Sequence, residues 1–135
     1  MPSLYRRYYW RCLETILHSV NNRKKITYGE LAAQLGLRSP QQEWHTVLNP
    51  IADKAKAELG DDYDLTWNVV YGSGPAKGLG RYFSNDKKAT GSTLLDPKDD
   101  AQRAEYERTL NKIYQYTYEL QKVEGKDTVI KVPRT

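Results

Sequence analysis

Ile26-Thr27-Tyr28-Gly29-Glu30-Leu31-Ala32-Ala33-Gln34-Leu35-Gly36 is the stretch on which the reading of this chain turns. The Thr27 hydroxyl suits an N-cap, and Glu30 three places on completes the Ser/Thr-x-x-Glu box that opens a helix. Leu31, Ala32 and Leu35 then share one side at helical spacing, and Gly36 supplies a stop. A short helix over residues 28–35 is expected.

Upstream, residues 21–25 (Asn-Asn-Arg-Lys-Lys) form a polar turn. Before it, residues 4–20 place Tyr5, Tyr8, Tyr9, Cys12, Leu13, Ile16, Leu17 and Val20 on one stripe of an amphipathic helix. Cys12 sits on that stripe, so it is read as a small, inert core residue. Downstream, Ser39 offers a second N-cap, with Pro40 at the first helical position and Gln42 as its box partner. Trp44, Val47, Leu48 and Ile51 make the apolar face of this helix. Pro50 predicts a kink or break at Asn49, with a further helical piece to about residue 59.

Residues 65–71 are rich in β-formers, residues 72–80 carry four glycines, and Arg81-Tyr82-Phe83-Ser84 reads as a returning strand. The pattern predicts a hairpin. After a polar connection, Asp96-Pro97 starts what reads as one long helix to about Val123, with Tyr106, Leu110, Ile113, Thr117 and Leu120 near heptad spacing. Gly125 would stop it, and Thr128–Val132 would add an edge strand. The sum is an α+β fold: a winged helix–turn–helix with a β-hairpin wing over residues 1–90, then a helical extension over 91–135 with a short terminal strand.

A chain of 135 residues with 39% hydrophobic and 28% charged residues suits one soluble core. No run approaches the roughly 20 apolar residues that span a bilayer, so no membrane role is expected. Residues 1–7 show charge without an apolar signal core, and a lone cysteine permits no internal disulfide. These features lead us to expect a reducing, cytoplasmic setting. The net charge of +4 is unevenly spread. Residues 1–38 hold seven Lys/Arg against two acids and residues 65–91 four against one, whereas residues 39–64 hold two against six. A basic face suits a polyanion. The eleven tyrosines against one phenylalanine fit a small core with wet edges, a protein interface or a nucleic-acid surface.

Glycine-rich loops cradle nucleotide phosphates when a helix follows, but a strand is expected after Gly80. The segment reads better as a wing whose Lys77 and Arg81 meet phosphates, or as a hairpin tip with no ligand. Gln41, Gln42, His45 and Asn49 form the polar face of the second helix, and amide side chains there can read base edges. A plain solvated face is the alternative, and Glu43 nearby would repel phosphate. His18 and His45 have no ligand-type neighbours at metal spacing. Glu58, Asp61, Asp62 and Asp64 match no calcium loop and read as a solvated acidic turn. No nucleophile elbow is present. Neither a catalytic centre, a metal nor a cofactor is expected.

The first stretch, the proline-started helix, the Trp67–Gly74 run (WNVVYGSG) and the Gly78–Ser84 run (GLGRYFS) together resemble the DNA-binding domain of alkylguanine-DNA alkyltransferases. They look closer still to the catalytically silent alkyltransferase-like proteins. The resemblance covers about residues 5–84. It implies a winged helix–turn–helix that approaches DNA through the minor groove and rotates a damaged nucleotide outward, with Tyr28 helping to turn the target phosphate. The family's arginine that fills the vacated stack would fall near Trp44. Its Pro-Cys-His-Arg or Pro-Trp-His-Arg run is replaced here by Thr66-Trp67-Asn68-Val69. Alkyl transfer needs an activated thiolate, so that activity is expected to be absent.

The expectation is therefore a non-enzymatic binder of nucleic acid, duplex DNA foremost. Arg6, Arg7, Arg11, Arg23, Lys24, Lys25, Lys77 and Arg81 would neutralise phosphates, while Tyr28, Gln41, Gln42 and His45 would meet the groove. The rival is a protein-interaction module, an inhibitor or adaptor, using its tyrosines and acidic patch. The C-terminal helix would then seat a protein partner or a second copy.

Overall fold

The computed structural model describes residues 4–37, 43–85 and 94–134. Ser39, Pro40, Gln41 and Gln42, the expected opening of the second helix, lie outside them. Helix α1 (Leu4–Asn21) buries Cys12, Leu13, Ile16, Leu17 and Val20, the stripe that the spacing predicts. A two-residue strand β1 (Ile26–Thr27) leads directly into α2 (Tyr28–Gln34). Both halves of the capping box are made: the Glu30 amide donates to Thr27 Oγ1 and the Thr27 amide to Glu30 Oε1, each at 3.0 Å. Gly36, at φ +76°, takes the left-handed conformation that ends the helix.

Helix α3 (His45–Leu59) packs across α1 and buries Val47, Leu48, Ile51, Ala52 and Ala55, with Trp44 just ahead of it. The break expected at Asn49 does not occur; the helix runs through Pro50. Proline removes one backbone hydrogen bond there. The apolar face on both sides of it buries as one surface, which outweighs that loss.

The expected wing is built differently. Residues 65–68 form a one-turn 3₁₀ helix (Leu65–Asn68), not a strand, because the Asp64 carboxylate caps it by accepting the Thr66 amide at 2.9 Å. Strand β2 (Val69–Val70) follows and pairs parallel with β1, Ile26 opposite Val69 and Thr27 opposite Val70. Residues 71–83 then close as a compact loop held by isolated pairings, Val70 with Gly80 and Phe83 with Leu95. Arg81–Ser84 does not return as a regular strand. This loop leans on Tyr106, which stacks on Trp67 at 5.3 Å between centroids and meets Phe83 edge-on. Gly80 is needed at that contact. A Cβ there would come within 2.9 Å of the Tyr106 ring and 3.1 Å of the Trp67 carbonyl oxygen.

The long C-terminal helix is not seen. Helix α4 (Asp100–Ile113) is capped by Asp99 and buries Tyr106, Leu110 and Ile113. Strands β3 (Tyr116–Val123) and β4 (Lys126–Pro133) then form an antiparallel hairpin. Thr117 and Leu120 satisfy helical spacing, yet Tyr114, Tyr116, Tyr118 and Leu120 also satisfy a period of two. The turn decides between them: Glu124 at φ +51° and Gly125 at φ +80° supply the two left-handed residues of a tight hairpin. The strand expected at Thr128–Val132 is borne out within β4.

Side chains from the helices grip the outer rims of this hairpin. Asn21 holds both backbone groups of Tyr118 on β3. On β4, the Val129 amide donates to Glu58 Oε1 and Lys54 Nζ donates to the Asp127 carbonyl, both at 2.7 Å. Among the described residues, no helix is long and apolar enough to cross a membrane.

Candidate nucleic-acid interface

The capping box makes Tyr28 the first residue of α2, directly after β1. The parallel register of β1 and β2 puts Tyr71 in the equivalent place after Val70. Ile26-Thr27-Tyr28-Gly29 and Val69-Val70-Tyr71-Gly72 are thus two copies of one short pattern lying side by side. Their tyrosine rings sit 5.4 Å apart, and Trp44 closes the cluster at 5.7 Å from Tyr28. Beside the rings lies an open groove of about 560 Å³, lined by Thr27, Tyr28, Gly29, Tyr71, Gly72 and Ser73, among others. Burial, and next the neighbouring Tyr71, push the Tyr28 phenol far above its ordinary value, so it stays a protonated donor.

The same loop carries Lys77. Tyr71 pairs with Lys77, and the Gly78 amide donates to the Tyr71 carbonyl at 2.8 Å. Asn85 fastens the loop, accepting from the Ala76 amide at 2.7 Å and donating to the Ser73 carbonyl at 3.1 Å. The Lys77 side chain is exposed. Lys25 is half-buried, its ammonium donating to the Gly78 carbonyl at 3.0 Å and to Glu107 at 2.9 Å. Arg7, Arg23 and Lys24 are exposed. Arg11 is exposed too, and donates to the Gln34 carbonyl at 3.2 Å. His45 is exposed on the first turn of α3. Gln41, Gln42 and the side chain of Arg6 lie outside what is described.

Arg81 stands apart. Its Nε donates to Thr66 Oγ1 at 3.1 Å and its Nη2 to Asn49 Oδ1 at 2.7 Å and to the Tyr82 hydroxyl at 3.2 Å. The Tyr82 hydroxyl in turn donates to Asp64. Asp64 is 4% exposed and corrects the expectation of a wholly solvated acidic turn. It caps the 3₁₀ turn and anchors Tyr82, while Asp61 and Asp62 do face solvent. Thr66 and Asn68, in the Thr66–Val69 run, are completely buried. Asn68 Nδ2 donates to Ser19 Oγ and to the Lys24 carbonyl, and its Oδ1 accepts from Tyr114. The run works as a joint between α1, the 3₁₀ turn and the C-terminal segment.

Tyr71 and Asn85 line this site without being singled out by the sequence, and Trp44, expected on the apolar face of the second helix, closes the aromatic cluster. The signal was present: a β-residue pair followed by Tyr-Gly occurs twice, and the second copy lies in the segment read only as a strand. Among the described residues no three His, Cys, Asp or Glu side chains gather as a metal site. No family model, curated protein or solved structure matches this chain.

Proposed function

We propose that this chain binds duplex nucleic acid, DNA foremost, without catalysing a reaction on it. The contact face carries Tyr28, Tyr71 and the Lys77 loop. One observation carries the reading: the parallel register sets two tyrosines side by side at a groove whose rims include Gly29 and Gly72, next to a loop bearing the exposed Lys77. Glycines admit a backbone or phosphate at close range, the two tyrosine rings offer a stacking face, and the Tyr28 hydroxyl offers a donor. Arg7, Arg11, Arg23 and Lys24 supply flanking positive charge, and His45 stands beside Trp44. In this reading the helix–strand–helix–helix–strand order is a trimmed winged helix, with residues 71–83 as a folded-down wing. Arg81 serves the face from within, by holding the loop. The rival protein-interaction reading has less support, since Asp64 is buried, Asp62 pairs with Lys112, and the long helical seam is replaced by a hairpin.

Fluorescence anisotropy on a labelled duplex, titrated at several salt concentrations, tests the proposal. About five phosphate contacts predict a loss of affinity of a few hundredfold between 50 and 200 mM salt. Tyr28→Ala weakens binding at every salt concentration. Absence of binding to duplex at low salt, or affinity that does not change with salt, overturns the proposal.

A further inference from the structure

On another part of the surface, the turn after α1 and the end of β4 border a shallow, open hollow of about 700 Å³, with Asn21, Asn22, Arg23, Thr117, Val132 and Arg134 around it. Arg134 is fixed in place. Its Nε donates to the Tyr114 carbonyl at 2.8 Å and its Nη2 to the Asn21 carbonyl at 2.9 Å. A guanidinium has five N–H donors, so others remain for a ligand. Arg23 reaches the same hollow from an exposed position, and among the described residues it has no ion pair. The described residues lining the hollow include no carboxylate.

The backbone at Arg23 gives an independent sign. Its φ is +54°, at the place after a helix where glycine is favoured. Its amide donates to the Val20 carbonyl at 2.9 Å and the next amide to the Ser19 carbonyl at 3.0 Å, which closes the end of α1. Glycine adopts this conformation more readily than a residue with a side chain. Capping the negative end of α1 explains this turn and the contact between Arg134 and Asn21. It does not explain why the residue at the turn is a second arginine bordering the same space.

We propose that this hollow binds an oxyanion of the phosphate class, with Arg134 as the fixed fork and Arg23 as the closing arm. Guanidinium pairs match the geometry and charge of a phosphate better than those of a carboxylate. The site shares Arg23 with the flank of the proposed duplex face but needs neither Tyr28, Tyr71 nor Lys77, so variants at those three residues and at Arg134 tell the two proposals apart.

The test is an NMR titration of the whole chain, labelled with ¹⁵N, with inorganic phosphate and with acetate at matched ionic strength. Saturable shifts at the Arg23 and Arg134 side-chain N–H groups with phosphate, and none with acetate, are the expected result. Arg23→Gly keeps the turn, since glycine prefers this φ, and weakens phosphate binding by about tenfold, the size of one lost charged contact. Lys77→Ala leaves phosphate binding unchanged. A duplex that displaces phosphate identifies the ligand as a backbone phosphate, whereas a duplex that binds without displacing it identifies a small phosphorylated molecule. No saturable shift, equal shifts with acetate, or unchanged binding in Arg23→Gly overturns the proposal.

Discussion

Asn21, at the last turn of α1, hydrogen-bonds Tyr118 on β3 through both ends of its amide: Oδ1 accepts the Tyr118 N–H at 2.8 Å and Nδ2 donates to the Tyr118 carbonyl at 3.0 Å. One side chain imitates a neighbouring strand. Asn21→Ala orphans two half-buried backbone groups and should cost about 1–3 kcal/mol. Urea denaturation measures the loss, and amide exchange should quicken first in residues 116–123. Unchanged stability would refute the bracing role.

Lys77 and Arg81 were expected to act alike, and the structure separates them. Lys77→Ala should lower the salt slope of duplex binding by about one and leave stability within ~0.5 kcal/mol. Arg81→Ala should instead destabilise by about 1–3 kcal/mol, because Thr66, Asn49 and Tyr82 lose their shared donor. Paired denaturation and salt titrations read both outcomes.

Burial pushes the Tyr114 phenol up to about 12, and raises Tyr28, Tyr106 and Tyr118 further. Each therefore holds its proton more tightly when folded than when unfolded. Their contribution to stability is full below about pH 10, the unfolded value, and is lost as pH climbs through the folded values. Denaturation midpoints should stay level from neutral pH to about 10 and fall steadily above it. A phenolate absorbance titration should show a late-ionising group of tyrosines.

Cys12 is completely buried, and burial raises its thiol to about 12. Thiol reagents attack the thiolate. Native protein should resist alkylation at neutral pH and react promptly in urea. Rapid labelling without denaturant would contradict the packing of α1.

The amphipathic stripe of α1 and the Thr27–Glu30 box were legible because each is a local rule, a period or a spacing that neighbours enforce. The apolar face of α3 was legible for the same reason. The C-terminal segment was not, since residues 114–120 fit a helical and an alternating period at once. The left-handed turn at Glu124 and Gly125 favours the hairpin, and the side chains that then hold it, Asn21, Lys54 and Glu58, lie at separations of 97, 73 and 71 along the chain. The tyrosine surplus leaves open a small core with wet edges, a protein interface or a nucleic-acid surface, all of which keep hydroxyls outward. Many of these hydroxyls turn inward instead, Tyr106 to the Trp67 carbonyl, Tyr118 to the Ile113 carbonyl and Tyr71 to the Arg81 carbonyl. Composition counts phenols without saying which backbone groups need them. At the candidate site, Tyr28 and Lys77 were found from the sequence, whereas Tyr71 required knowing that β1 and β2 run parallel.

The amide and ion-pair grips on the two rims of the terminal hairpin also bear on how the molecule behaves when crowded. A bare ribbon edge invites strands from other molecules to add on, the first step toward fibres. Here the Tyr118, Asp127 and Val129 backbone positions where such an intruder would dock are already occupied by Asn21, Lys54 and Glu58. The device that completes the fold therefore also keeps this long ribbon from serving as a seed.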